Sequence, residues 1–140
     1  MKTGKLNLYL GILVMIAAAF GGLALGQTMD PYFANGYAQI PLWRYLTKAG
    51  HTHGMPFGLI NIAFGLVIAR LTCSDRIKQF ASALTAAAIL LPIGTCLRGL
   101  TEGAKAPEIL AMLGGFCFLA ACVLLIIGLA KSKAGTPAGA

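Results

Sequence analysis

Four apolar stretches without a single charged residue divide this chain, and each is close to the length that crosses a membrane. They cover residues 6–29, 49–69, 79–97 and 109–130. A helix needs roughly 20 apolar residues to span a hydrocarbon core. Because 58% of the 140 residues are apolar and 11% are charged, the composition also lies outside the range of soluble domains. We therefore expect an all-α integral membrane four-helix bundle, with residues 1–140 forming a single transmembrane domain.

The four helices are expected at about residues 6–27, 52–71, 79–98 and 107–130, and residues 131–140 as a flexible tail. In the first helix, Gly22 and Gly26 form a small-xxx-small pair that predicts close approach of a neighbouring helix. Residues 41–49 begin with proline and are followed by Gly50, a pattern that predicts a short interfacial helix in the first outer loop. Two starts of the second helix stay open, at His51 or at Pro56. Pro92 predicts a kink in the third helix.

The net charge of +7 would suggest a nucleic-acid partner in a soluble protein, but here the basic residues flank the apolar stretches. We therefore expect no nucleic acid, a lipid bilayer as the surroundings and a bacterial-type inner (cytoplasmic) membrane. The positive-inside rule favours both termini in the cytoplasm. This topology places seven basic residues inside and four outside, the outer ones being Arg44, Lys48, Arg98 and Lys105. The N-terminal stretch also resembles a secretory signal, but its length favours a retained helix.

The only two histidines of the chain are His51 and His53, at the start of the second apolar stretch. Imidazole binds haem iron and copper and exchanges protons near neutral pH. In a helix, His51 shares a face with Asn61 and with three glycines, at positions 54, 58 and 65. Such a face favours helix packing with Asn61 hydrogen-bonded across the interface, and direct contact of Asn61 with a ligand is the alternative.

Three interpretations of the histidine pair stay open: ligation of a haem or a copper ion, contact with a quinone or partner protein, and interfacial capping. Residues two apart on a helix point about 200° apart, so the pair cannot bracket one haem. A second axial ligand would be Met29, Met112 or a histidine of another subunit. In an extended segment, His51, His53 and Met55 would instead face one side and could hold copper. The candidate cofactor residues are therefore His51, His53, Met55 and Asn61, and the candidate metal ligands are the first three.

The segment GHTHGMPFGLINIAFGLVI, residues 50–68, resembles the histidine-bearing helix of haem–copper oxidase catalytic subunits and of NnrS-like membrane proteins. The resemblance implies ligation of a b-type haem by His51 or His53. The chain departs from the oxidase pattern because it has too few helices and lacks the histidines of a copper centre and second haem. A complete oxidase catalytic subunit is therefore excluded.

These patterns predict a small membrane subunit of a redox or respiratory assembly that contributes a haem, copper or quinone contact to electron transport. Small-residue faces predict association with other membrane subunits or a homo-oligomer. We do not expect an enzyme acting alone, because the sequence offers no placed nucleophile and base and no paired carboxylates on one helix. The alternative is a non-redox scaffold or a carrier of small solutes. Structural thiols are expected at the cysteines, Cys73, Cys96, Cys117 and Cys122.

Overall fold

The computed structural model describes residues 3–28 and 40–132, and these residues form helices and short connections without a strand. The helices are α1 (Lys5–Gly26), α2 (Leu42–Arg70), α3 (Asp75–Ala87), α4 (Leu90–Leu100) and α5 (Lys105–Lys131). With α3 and α4 taken together, four segments are long and apolar enough to cross a membrane. The expected all-α fold with four spans is thereby confirmed. Met29 and most of the predicted tail, residues 133–140, lie outside the described residues.

Residues 41–49 do not form a separate interfacial helix, because Pro41 is the N-cap of α2 and residues 42–49 are its first turns, in a helix that is continuous over 29 residues. Both expected starts of the second helix, at His51 and at Pro56, are therefore too late. Gly50 does not end a helix. It is buried where α2 meets α4, and a Cβ there would lie 2.7 Å from the backbone nitrogen of Cys96. The glycine thus permits close packing of two helices.

The third span is broken at Ala88 and Ile89, near its middle and just before Pro92. Proline has no N–H to offer the carbonyl four residues earlier, and its ring clashes with that carbonyl. The carbonyl oxygen of Ala88 accepts a hydrogen bond from Leu91 N–H instead, at 3.1 Å. Ile89 N–H in turn donates to Ala86 at 3.3 Å, which releases the Thr85 carbonyl from the helical pattern. Pro92 is therefore associated with a break in the helix about one turn before the proline, where the sequence predicts a kink.

Glycines set the contact between the antiparallel helices α1 and α2. A Cβ on Gly11 would lie 2.6 Å from the carbonyl oxygen of Gly58, and one on Gly54 would lie 3.0 Å from the Cβ of Ala18. The glycine face of α2 is therefore the packing face that the sequence predicts. Gly22 and Gly26 differ, since a Cβ on Gly22 would lie 2.5 Å from Cε1 of His51, whereas one on Gly26 would meet none of the described residues within 4 Å. Within the part of the chain that the structure describes, the close approach therefore occurs at Gly22 and not at Gly26.

The bulky side of α2 packs toward α5, while α4 covers its N-terminal half. The ring of Phe118 on α5 lies 5.3 Å from that of Phe57 and 6.4 Å from that of Phe64, measured between centroids. Near the turn between α4 and α5, Glu108 forms ion pairs with Arg98 at 3.1 Å and with Lys105 at 3.3 Å. Because α1 and α4 both pack on α2, the N-terminal half of α2 forms the floor of a groove between them.

Candidate functional site

The groove between α1 and α4 has a volume of about 430 Å³ and walls that are almost entirely apolar. Its polar lining side chains, among the described residues, are those of Thr47, His51 and Cys96. Leu13 of α1 and Leu97 of α4 line the groove and are exposed, so it opens toward the lipid-facing surface of the protein. The groove is therefore an apolar cleft with one imidazole in its wall.

His51 is held in this wall by the backbone of α1. Its Nδ1 lies 2.6 Å from the carbonyl oxygen of Ala18. Because a carbonyl oxygen only accepts, Nδ1 carries the proton, and in the neutral ring Nε2 is the acceptor. A Cβ on Gly22 would lie 2.5 Å from Cε1 and 2.8 Å from Nε2 of this ring. The missing side chain of Gly22 therefore provides the space in which the imidazole lies.

The structure does not bring His51, His53 and Met55 together as one ligand set. All three lie in α2, which is helical over Leu42–Arg70, so of the two alternatives the helical one applies, and His53 points about 200° away from His51. His53 is exposed, and its Nδ1 lies 2.7 Å from the carbonyl oxygen of Ala49 in its own helix. Within residues 3–28 and 40–132, three or more His, Cys, Asp or Glu side chains do not cluster as metal ligands would.

Asn61 lies outside the groove, in a buried polar network between α1, α2 and α3. Its Nδ2 donates to the carbonyl oxygens of Phe57 at 3.1 Å and Thr85 at 3.0 Å, and its Oδ1 accepts from Asn7 at 3.2 Å. Asn7 also donates to the carbonyl oxygen of Ser82 at 2.9 Å and accepts from the Ser82 hydroxyl. Since these groups satisfy one another, the arrangement matches the packing role predicted for Asn61 rather than ligand contact.

Two residues that join the helices, Asn7 and Arg44, are not predicted from the sequence. Asn7 is fully buried, and its only sequence signal is an amide within the first apolar stretch. Arg44, expected in an outer loop, is 3% exposed and lies in the first turn of α2. It donates to the carbonyl oxygen of Leu25 at 2.8 Å and to the hydroxyl of Thr28. A cation at the C-terminus of α1 is favoured by the helix dipole, so Arg44 fastens α1 to α2.

Comparison with known proteins does not identify a relative of this chain. The chain matches no protein-family model, no curated protein and no solved structure. The resemblance of residues 50–68 to a histidine-bearing oxidase helix therefore stays a prediction from the residues, and the functional argument rests on the groove and His51.

Proposed function

We propose that the chain is a small subunit of a membrane redox or respiratory assembly, and that its groove binds the ring of a quinol beside His51. One observation supports the proposal above all others. An otherwise apolar groove of about 430 Å³ has one imidazole in its wall, and that imidazole is oriented by the carbonyl oxygen of Ala18. Ligand sites typically measure roughly 300–1,000 Å³ and combine apolar walls with few polar groups.

The hydrogen bond between His51 and Ala18 favours the reduced form of the ligand. With its proton on Nδ1, the neutral ring offers Nε2 as a hydrogen-bond acceptor. A quinol hydroxyl donates to such an atom, whereas a quinone carbonyl only accepts. The alkyl tail of the ligand would leave along the exposed apolar rim formed by residues such as Leu13 and Leu97. We therefore expect tighter binding of quinol than of quinone.

A second candidate, ligation of a b-type haem by His51, is favoured by the same hydrogen bond. Histidines that bind metals usually donate their other ring N–H to a carbonyl or carboxylate, as His51 does to Ala18. His53 lies on the other side of α2 and Met112 does not line the groove. A second axial ligand would therefore be a histidine of another subunit or Met29, which lies outside the described residues. A Soret band in the purified protein, lost in His51→Phe, would support this candidate over the quinol.

For topology, we propose that both termini lie in the cytoplasm and that the protein resides in a bacterial-type inner membrane. The excess of basic residues at one end of the four spans supports this orientation. In a variant without native cysteines, Lys105→Cys should react with a membrane-impermeant maleimide added outside intact cells. Lys131→Cys should react only after lysis. The reverse pattern would overturn the orientation.

Binding of decylubiquinol to protein in nanodiscs tests the proposed function, with empty nanodiscs subtracted. His51→Phe keeps an aromatic ring at this position but removes both ring nitrogens, including the Nε2 acceptor, so we expect affinity to fall about three- to tenfold, the equivalent of one hydrogen bond. His53→Phe is the matched control and should bind like the native chain. Equal affinity of the native chain and His51→Phe would contradict the proposal.

Filling the groove provides a second, independent test. Gly21 lines the groove and has open space at its Cβ position, so Gly21→Leu should occupy the cleft without displacing the helices. Gly26→Leu lies outside the groove and meets none of the described residues at its Cβ position, so it is the matched control. Gly21→Leu should reduce decylubiquinol binding. If it instead released only a copurifying membrane protein, the groove would be the scaffold contact of the alternative function.

A further inference from the structure

The described walls of the groove offer a bound ring few hydrogen-bonding groups besides Nε2 of His51. The other polar lining side chains among the described residues are those of Thr47 and Cys96. The Thr47 hydroxyl donates to the carbonyl oxygen of Trp43 at 2.6 Å, and the Cys96 thiol donates to the carbonyl oxygen of Thr47 at 3.7 Å. Both protons are therefore used within the protein, and neither side chain offers a donor to a ligand in the groove.

The part of the groove that lies closer to the middle of the spans is lined by apolar residues. Because α1 and α4 run antiparallel to α2, this part lies at higher residue numbers than His51 in α2 and at lower numbers in α1 and α4. The residues of α1 and α4 that line it are Leu13, Val14, Ala17, Ile89, Pro92 and Ile93. A polar substituent carried into this part would meet hydrocarbon walls.

The substituents of a quinol ring decide how well it fits such walls. A methoxy oxygen only accepts hydrogen bonds, and it loses those from water and lipid headgroups when it enters a site without a donor. A methyl or ethyl group, or a fused benzene ring, needs no hydrogen bond and packs against apolar side chains. The groove therefore disfavours methoxy substituents and accommodates carbon substituents.

We propose that the groove selects quinols whose rings carry carbon substituents, either alkyl groups or a fused benzene ring, over dimethoxyquinols. This inference rests on the proposed quinol site and names the class of ligand that the site takes. The hydroxyl that donates to Nε2 of His51 is present in both classes, so His51 holds the ring while the walls discriminate between rings. Selectivity of this kind comes from the cost of an unpaired polar group in the disfavoured ligand.

Two quinols of nearly equal size make the comparison. One is decylubiquinol, and the other is its analogue in which two ethyl groups replace the two methoxy groups. Binding to the full chain in nanodiscs is measured without oxygen, with empty nanodiscs subtracted and affinity expressed as mole fraction in the lipid, which removes differences in partitioning. We expect the diethyl analogue to bind about three- to tenfold more tightly, since one or two acceptors of decylubiquinol lack a donor. Equal affinity, or tighter binding of decylubiquinol, would overturn the proposal.

His51→Phe separates this proposal from the proposed function. It should weaken the binding of both quinols by a similar factor and leave their ratio unchanged, because the shared hydroxyl loses its acceptor. If the two quinols bind equally but each depends on His51, the quinol site stands and the selection between rings is refuted. If neither quinol depends on His51, the quinol site fails and the selection fails with it.

Thr47→Val tests the premise that the groove offers no donor from this hydroxyl. Valine keeps nearly the same side-chain volume, and the native proton is already used by the carbonyl oxygen of Trp43, so we expect the ratio of the two affinities to stay the same. A loss of affinity for decylubiquinol alone would show that the Thr47 hydroxyl donates to a methoxy oxygen, which overturns the proposal.

Discussion

Substitution of Gly11 by alanine tests the packing on which the groove depends. A Cβ at this position would lie 2.6 Å from the carbonyl oxygen of Gly58 and 2.6 Å from Cγ1 of Ile62. Non-bonded carbon atoms pack at about 3.5–4.0 Å. Because one of the opposing atoms belongs to the backbone, α1 and α2 must separate locally by about 1 Å to admit the methyl group.

The expected cost follows from this displacement. Overpacking of a tight interface costs about 1–3 kcal/mol. The same separation strains the 3.2 Å hydrogen bond between Asn7 and Asn61, and interhelical hydrogen bonds in membranes contribute about 0.6 kcal/mol on average. Alanine also gains up to about 1 kcal/mol of helix propensity over glycine, which masks part of the cost. Gly21→Ala, where the methyl group meets nothing within 4 Å, measures that gain alone.

The assay is reversible unfolding in mixed micelles with increasing sodium dodecyl sulfate, followed by circular dichroism. We expect Gly11→Ala to be less stable than Gly21→Ala by about 2–4 kcal/mol, the sum of the packing and hydrogen-bond contributions. If the two variants unfold at the same detergent fraction, α1 does not contact α2 through Gly11, and the groove geometry fails with it.

Four further changes test other parts of the structure. A double-mutant cycle of Asn7→Ala and Asn61→Ala in the same assay should give a coupling energy of about 0.6 kcal/mol, and zero coupling would refute their hydrogen bond. Arg44→Leu should lower stability by about 1–3 kcal/mol, because it leaves the acceptors at the end of α1 unpaired, and unchanged stability would count against this contact. Glu108→Gln should cost less than about 1 kcal/mol and the cost should shrink at high salt, since its ion pairs are partly exposed. Gly22→Ala should move the ¹⁵N resonances of His51 in labelled protein while those of His53 stay in place, and an unmoved His51 would show that the ring does not lie over Gly22.

The four spans could be predicted because their signal is local: long runs of apolar residues leave a helix across the membrane as the main solution for the backbone. The early start of α2 could not be predicted, because a glycine at position 50 can either end a helix or allow a neighbouring helix to pack closely. The close approach of Cys96 on α4 shows that Gly50 allows helix packing rather than ending a helix. Local sequence carries no information on which of the two contacts a glycine makes.

The candidate site was predictable only in part. His51 stands out in the sequence as one of two histidines, but its contacts with Gly22 and Ala18 depend on how α1 packs against α2. Likewise, the glycine-rich face of Asn61 favours packing over ligand contact, but its partner, the carbonyl of Thr85, is set by a break in another span. Long-range pairing, rather than residue type, decides these contacts.

The break at Ala88 and Ile89 in the third span has a consequence for the order in which the helices take their native shape. Ile89 N–H donates to Ala86, so the carbonyl of Thr85 relies on the amide of Asn61. A carbonyl left without a donor inside a bilayer costs several kcal/mol. The third span therefore adopts its native shape favourably only beside α2, which precedes it in the chain. We therefore expect a chain whose hairpin of α1 and α2 is misfolded to fail to shape its third span as well.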